Sequence, residues 1–283
     1  MSSLKGRVRN FWDASPCGTG GVRRPEGSKE FFAEIERRRY ELEPFIFGFA
    51  QFSRWKGKRV LEIGCGTGTD NLQFCRSGSN AYGIDLSRRS VALARKRLDW
   101  YGFDAGKVFV GDAEDLPFPS NSFDLVYSWG VLHHTPDTVK ALAEIHRVLR
   151  PGGEICIMLY HRRSLVTLQF YIKFGLLSGR PFRGVDDIMA AHQESPGTKV
   201  YTRGQVKNLF AQFQNLHVRT IVTPYDLQTG RRRFLPAWMR EYIPNSLGYF
   251  LVVQGSKLGG DGPKTALWSA PGVKRCMTIN APA

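Results

Sequence analysis

Val60-Leu61-Glu62-Ile63-Gly64-Cys65-Gly66-Thr67-Gly68-Thr69 is the stretch on which the fold of this 283-residue chain turns. An apolar run of strand length ends in three glycines at alternate positions, and a helix-compatible segment follows. Glycines there permit a tight turn and let backbone approach a ligand with no Cβ in the way. The N–H groups at the start of the next helix then face that ligand. From Lys58 onward the pattern alternates. Strands are predicted over Arg59–Ile63, Asn80–Ile84, Lys107–Val110, Phe123–Ser128 and Glu154–Tyr160. Helices are predicted over Thr69–Arg76 (capped by Thr69 or Asp70), Ser87–Asp99 and Asp137–Leu149, the last stopped by Arg150-Pro151-Gly152-Gly153. Two late strands are read at His217–Val222 and Tyr249–Gln254. Alternation at this spacing means βαβ units and a parallel sheet.

The expected architecture is therefore α/β: a Rossmann-like, seven-stranded, mostly parallel sheet with helices on both faces, an antiparallel last strand and cap insertions. The last two strands should form the antiparallel edge. Residues 1–50 read as an irregular (1–28) and then helical (29–54) N-terminal cap, with a break allowed at Pro44. Residues 51–160 read as the ligand-binding core, 161–201 as an inserted cap segment and 202–255 as the C-terminal part of the sheet with a basic insertion. Residues 256–283 read as a loose tail.

Two nucleotide-type readings compete for the glycine loop. The dinucleotide fingerprint Gly-x-Gly-x-x-Gly would need glycine at position 69, where this chain has Thr69; its third glycine, Gly68, comes one residue early. The observed pattern is Glu-x-Gly-x-Gly-x-Gly. This stretch resembles motif I of the class I S-adenosylmethionine-dependent methyltransferases, of the small-molecule, type 11-like group. Gly83-Ile84-Asp85-Leu86-Ser87, Gly111-Asp112-Ala113-Glu114-Asp115-Leu116-Pro117, Ser122-Phe123-Asp124-Leu125-Val126 and Leu149-Arg150-Pro151-Gly152-Gly153 match the same family in order and spacing. The resemblance covers about residues 57–160 and speaks to the cofactor rather than the acceptor.

The resemblance implies S-adenosylmethionine as cofactor and S-adenosylhomocysteine as product. Asp85, at the carboxyl end of the second strand, would accept from both ribose hydroxyls, as a carboxylate in that position can. Asp112 would receive the adenine amino group and the Ala113 N–H a ring nitrogen, with Leu86 and Leu116 on either side of the ring. Gly64, Gly66 and Gly68 would shape the loop around the methionine part. Glu62 would hold a loop N–H or the cofactor's amino group, and Cys65 would make a backbone contact. Trp129 would line the methyl donor.

Beyond the cofactor, the paired His133 and His134 invite two readings: a general base, or imidazoles that tie the loop to backbone. Tyr160 joins them as a candidate catalytic group. Trp12, His161 and Tyr201 are candidate acceptor contacts, Trp12 from an aromatic N-terminal flap and the others from the rim and the cap. No metal is expected, because no carboxylate stands in the four residues before the histidine pair. Methyl transfer from a sulfonium needs alignment and exclusion of water more than it needs a base.

Composition bounds the rest. Forty Lys and Arg against 25 Asp and Glu give a net charge of +15. That favours anionic partners, but the basic residues fall in scattered short runs without interleaved stacking aromatics. The expected partner is a small acceptor, hydrophobic or anionic; an RNA methyltransferase or RNA-binding protein is the alternative. Five cysteines without metal-ligand spacing suit a reducing cytoplasm. No apolar stretch reaches the length of a membrane span; the nearest, 165–177, carries Gln169 and Lys173.

Overall fold

The computed structural model describes residues 3–230 and 233–259. Seven strands form one sheet: β1 Arg59–Ile63, β2 Asn80–Asp85, β3 Val108–Val110, β4 Phe123–Trp129, β5 Leu149–Tyr160, β6 Gln214–Ile221 and β7 Phe250–Ser256. Their spatial order is β3-β2-β1-β4-β5-β7-β6. Strands β1 to β5 pair in parallel. The last strand, β7, slots between β5 and β6 and runs against both. A short ribbon, Gln228–Gly230 with Arg233–Phe234, stands apart from the sheet.

Helices cover both faces. They are α1 Leu4–Ala14, α2 Lys29–Leu42, α3 Ile46–Ala50, α4 Thr69–Arg76, α5 Arg88–Trp100, α6 Thr138–Val148, α7 Leu165–Tyr171, α8 Val185–His192 and α9 Arg203–Leu209. Successive residues of a strand point to opposite faces, so each apolar strand feeds two cores. On one face Leu61, Ile63, Ile155 and Ile157 pack with Leu142 and Ile145 of α6, with Val206 of α9 and with Phe210 just beyond it. On the other, Val60, Leu125 and Tyr127 pack with Phe49 of α3, Phe74 of α4 and Met189 of α8. Full burial of each large apolar side chain contributes roughly 1.5–3 kcal/mol, which is what holds the helices to the sheet.

Three local readings change. The N-terminal segment is a helix where irregular chain was expected: Ser3 accepts the Gly6 N–H as N-cap, and Val8 is buried beneath it. Helix α4 begins on neither Thr69 nor Asp70 but on Gly68, in the left-handed region at φ 75°. A Cβ at Gly68 would lie 3.0 Å from the Ala94 Cβ of α5, so close helix packing, as well as backbone, asks for glycine. The Arg150-Pro151-Gly152-Gly153 run does follow the end of α6 but belongs to the first residues of β5, opposite a register shift in β4. The break near Pro44 falls between α2 and α3, as expected. Cys276 and all but the first residues of the expected C-terminal tail lie outside the described residues, as do Arg231 and Arg232 of one basic run. No helix among the described residues is long and apolar enough to cross a membrane.

Candidate active site

The sheet order reverses direction at β1, with β2 on one side and β4 on the other. In open α/β sheets such a switch point leaves a crevice at the strands' carboxyl ends. Here it opens into a cavity of about 620 Å³ lined by Glu62, Gly64, Cys65, Gly66, Asp85 and Leu86, and further by Asp112, Ala113, Trp129, His134 and Trp12. Eleven of the residues singled out from the sequence thus meet on one surface.

The loop is built for close approach. Gly64 has φ 73°, and a Cβ there would sit 2.1 Å from a Val131 methyl. The Asp85 carboxylate organises the turn: one oxygen accepts the Gly66 N–H at 2.9 Å, the other the Ser87 N–H at 2.8 Å. Burial pushes its pKa up to about 6, against the pull of those two N–H groups. Glu62 is buried, and one of its carboxylate oxygens has no hydrogen-bond partner. Burial, with Asp70 nearby, holds the Glu62 pKa well above the usual carboxylate range. An unpartnered buried carboxylate oxygen on the cavity wall is a vacancy for a donor. Together with the cradle that a Cβ at Gly64 would fill, it fits a cofactor carrying an amino group and vicinal hydroxyls. Burial also drives the Cys65 thiol pKa well up, so this thiol has none of the thiolate character a nucleophile needs.

Helix α1 roofs this side. Lys5 reaches Asp112 at 2.6 Å and Glu114 at 2.7 Å. Asp13 accepts from the Ser87 hydroxyl at 2.7 Å, and Arg89 donates back to the Asp13 carbonyl. The other Asp112 oxygen accepts the Glu114 N–H at 2.9 Å. Asp112 is therefore already engaged at both oxygens while it faces the cavity.

Six singled-out residues do not line the cavity. Gly68 is the helix cap described above. His133 is fully buried, neither ring nitrogen has a partner, and burial holds its pKa well below the usual histidine value. It packs against Tyr160, ring centroids 3.8 Å apart. Tyr160 in turn donates to Glu194 at 3.0 Å and stacks on Tyr249. His161 and Tyr201 form the bridge between sheet and cap: the His161 ring is hydrogen-bonded to the Gly248 carbonyl and Tyr201 to Thr138. His161 opens instead onto a second cavity, with Arg163 and Arg203. Leu116 is drawn into the core and leaves Leu86 alone at the cavity wall.

His134 is the histidine that reaches the cavity. Its Nδ1 lies 2.9 Å from the Ser195 hydroxyl and 3.0 Å from that of Thr198, while its Nε2 lies 3.2 Å from a Glu194 oxygen. The Trp12 ring meets it edge-on at 5.4 Å. A carboxylate does come to the histidine pair, from the cap rather than from the preceding residues: ligating atoms of His133, His134 and Glu194 fall within 4.8 Å of one another.

Sequence reasoning missed a buried polar network on the opposite wall. Asp70 of α4 accepts from the Arg39 guanidinium at 2.9 and 2.5 Å, from Tyr40 at 2.9 Å and from Tyr127 at 2.8 Å. The Arg39 guanidinium and these hydroxyls hold the Asp70 pKa below the usual range in spite of its burial. Glu43 accepts from Trp129 at 2.8 Å and Tyr225 at 3.1 Å. Arg39, Glu43, Asp70 and Tyr225 all line the cavity. The acids and arginines of α2 were visible in the sequence, but nothing local tied them to a site 30 residues on.

Comparison with known proteins bears on the domain and the fold. Residues 61–157 match the family model of a methyltransferase domain. Over these residues the chain is a methyltransferase domain, similar to the class I S-adenosylmethionine-dependent methyltransferases. It is 31% identical over 154 residues to the demethylmenaquinone methyltransferase of Geobacillus kaustophilus, a match spanning 50% of this chain and 66% of that enzyme, just under two thirds of its length. It is 41% identical over 99 residues to phthiotriol/phenolphthiotriol dimycocerosates methyltransferase 1 of Mycobacterium ulcerans, covering 34% and 35% of the two chains. A solved Thermotoga maritima structure, named as an S-adenosylmethionine-dependent methyltransferase, superposes with a TM-score of 0.53 at 20% identity, over 88% of this chain and 99% of that one; at that identity the likeness concerns the fold. The family's cofactor is S-adenosylmethionine, and its product S-adenosylhomocysteine.

Proposed function

We propose that this methyltransferase moves the sulfonium methyl of S-adenosylmethionine to a small-molecule acceptor with a substantial apolar part. The observation that carries this is the cavity at the switch point, where the Gly64–Gly68 loop, the Asp85 carboxylate and the unpartnered Glu62 oxygen converge. In this reading Asp85 takes the ribose hydroxyls, Glu62 the amino group and Leu86 one face of the adenine. Asp112 takes the adenine amino group as Lys5 yields one oxygen. The apolar acceptor rests on the relatives named for demethylmenaquinone and phthiotriol dimycocerosates.

The cofactor supplies an electrophilic methyl; the chain's part is to align and to keep water out. Trp129, anchored by Glu43, and Trp12 on α1 supply apolar wall on two sides. His134 is the one histidine placed to meet an acceptor, and its Nδ1 is already engaged by Ser195 and Thr198. We assign His134 to orienting the acceptor with Glu194, and His133 and Tyr160 to supporting them from behind. Residues 1–50, 161–201 and 223–247 act as the cap that selects the acceptor.

The test is calorimetric binding of S-adenosylmethionine to the wild type and to Asp85→Ala, followed by mass spectrometry of quinone and lipid acceptors for the gain of one methylene unit. Micromolar binding lost in Asp85→Ala is expected. A folded wild type that binds no S-adenosylmethionine would sink the proposal.

A further inference from the structure

The inserted cap carries a surface that methyl transfer does not use. From His161 to Val185 the chain holds five cations, Arg162, Arg163, Lys173, Arg180 and Arg183, and not one carboxylate. Helix α7 continues through a π-turn, Ile172–Leu176. Its inner side is satisfied: Val166, Thr167 and Gly175 are buried, and α7 packs along α8, whose Ile188 and Met189 are fully buried. Its outer side is not. Leu168, Ile172 and Leu176, four residues apart, are exposed, and at the loop that follows Leu177 is 80% and Phe182 99% exposed. A wholly solvated phenylalanine beside an exposed leucine stripe is more apolar surface than isolated surface residues account for.

Charge says what covers it. Arg162 is paired with Asp186 and Arg183 is turned toward His192. Arg163, Lys173 and Arg180 are exposed and make no ion pair among the described residues. An apolar stripe flanked by unpaired cations, on a helix too short to span, is the pattern of an element that lies in the plane of a membrane interface. Leu168, Ile172, Leu176 and Leu177 are aliphatic and Phe182 is a single ring, whereas a run of nucleic-acid bases calls for successive aromatic platforms. We propose that the α7 face, with Leu177 and Phe182 as its anchors, docks this chain on the surface of an anionic phospholipid bilayer. The face stands apart from the cofactor cavity, so the proposal is independent of the methyl-transfer reading. The two are nonetheless connected: the segment that begins at this face ends at Glu194–Thr198, which holds His134. An acceptor carried in a membrane would thereby meet the site from the docked side.

Flotation of the full chain with vesicles tests it, using phosphatidylglycerol mixed into phosphatidylcholine against phosphatidylcholine alone. The wild type should float with the anionic vesicles and about tenfold or more less with the neutral ones. Leu177→Glu with Phe182→Glu should lower partition at least tenfold, and Lys173→Ala or Arg180→Ala about fivefold each. All four side chains are exposed, so unchanged melting curves are the control for folding. No flotation with anionic vesicles, or flotation that the Leu177/Phe182 change leaves intact, overturns the proposal. So does a switch of oligomeric state or a loss of single-stranded RNA binding in that variant without any vesicle binding, since the face would then belong to a second copy or to nucleic acid.

Discussion

Cofactor affinity should fall with pH at an unusual point, and the reason is the state of Asp85. An ordinary aspartate, near 3.8, would be almost fully ionised at pH 5. Burial pushes Asp85 up to about 6, so only about one molecule in ten would carry the carboxylate at pH 5. A protonated Asp85 can accept fewer hydroxyls, and binding S-adenosylmethionine must first expel the proton. The expected result is a dissociation constant flat from pH 7 upward and about tenfold weaker at pH 5. The same shift bears on folding with a definite sign. The unfolded chain releases this proton near 3.8 and the folded one near 6, so the stability associated with the neutral form is complete below pH 3.8 and is lost as pH rises through 6. The half-buried position of Asp85 makes roughly 3 kcal/mol an upper bound on that loss. Calorimetry with S-adenosylmethionine from pH 5 to 8 is the assay, with circular dichroism confirming a folded protein at each pH. Asp85→Asn should bind about 10- to 100-fold more weakly at pH 7, the cost of charge-assisted hydrogen bonds, and should lose the step near 6. Glu62 titrates in both proteins, so their difference isolates Asp85. A wild-type affinity that does not change between pH 5 and 7 would refute the reasoning.

Three further outcomes are expected. Gly64→Ala should lower stability by about 2–4 kcal/mol, because it adds a Cβ 2.1 Å from a Val131 methyl at φ 73°; chemical denaturation measures it, and a loss under 1 kcal/mol would be inconsistent with so tight a loop. Asp70→Asn should cost about 3–5 kcal/mol by leaving buried Arg39 without its counter-charge, and Tyr127→Phe only about 1 kcal/mol, a ratio that thermal melts can check. His133→Leu should be close to neutral in stability, since neither ring nitrogen is hydrogen-bonded, and should keep methyl transfer within about tenfold; a loss beyond a thousandfold would restore His133 to a direct catalytic role.

Legibility from the sequence followed the range of the interactions. The glycine loop, Asp85 and the strand–helix rhythm are set by neighbours a few residues apart, and β1, β2 and α4 came out within a residue. The Asp85-to-Gly66 bond spans 19 residues and was recoverable only because the loop and the next strand are a known unit. The pairing of Glu194 with His134 was not recoverable, although the turn-rich Glu194–Thr198 loop reads as one that closes over the pocket. Glu194 meets His134 across 60 residues from a loop position with φ 51°, outside the conformations a non-glycine side chain usually takes, and no local pattern announces that. The Asp70 network failed to show for the same reason, its partners coming from α2, α4 and β4. Helix α1 was hidden by the Gly- and Pro-rich stretch beside it, although Ser3 and Val8 are a cap and a buried contact. The positions of His161 and Tyr201 follow from a bridge between cap and sheet that periodicity cannot reveal.

Helix α1 also sets an order of events. It contributes Trp12 to the wall between the cofactor's place and His134, and it is pinned by Lys5 on Asp112 and Glu114 and by Asp13 on Ser87. A seated α1 would hold whatever occupies the deep end, against Gly64 and Asp85. Turnover should then be compulsory-ordered, S-adenosylmethionine on first and S-adenosylhomocysteine off last. Because the two Lys5 pins are ionic and about 29% of the Lys5 side chain is exposed, added salt should loosen them and hasten product departure. A single lysine of helix α1 would thus govern the tempo of the whole cycle.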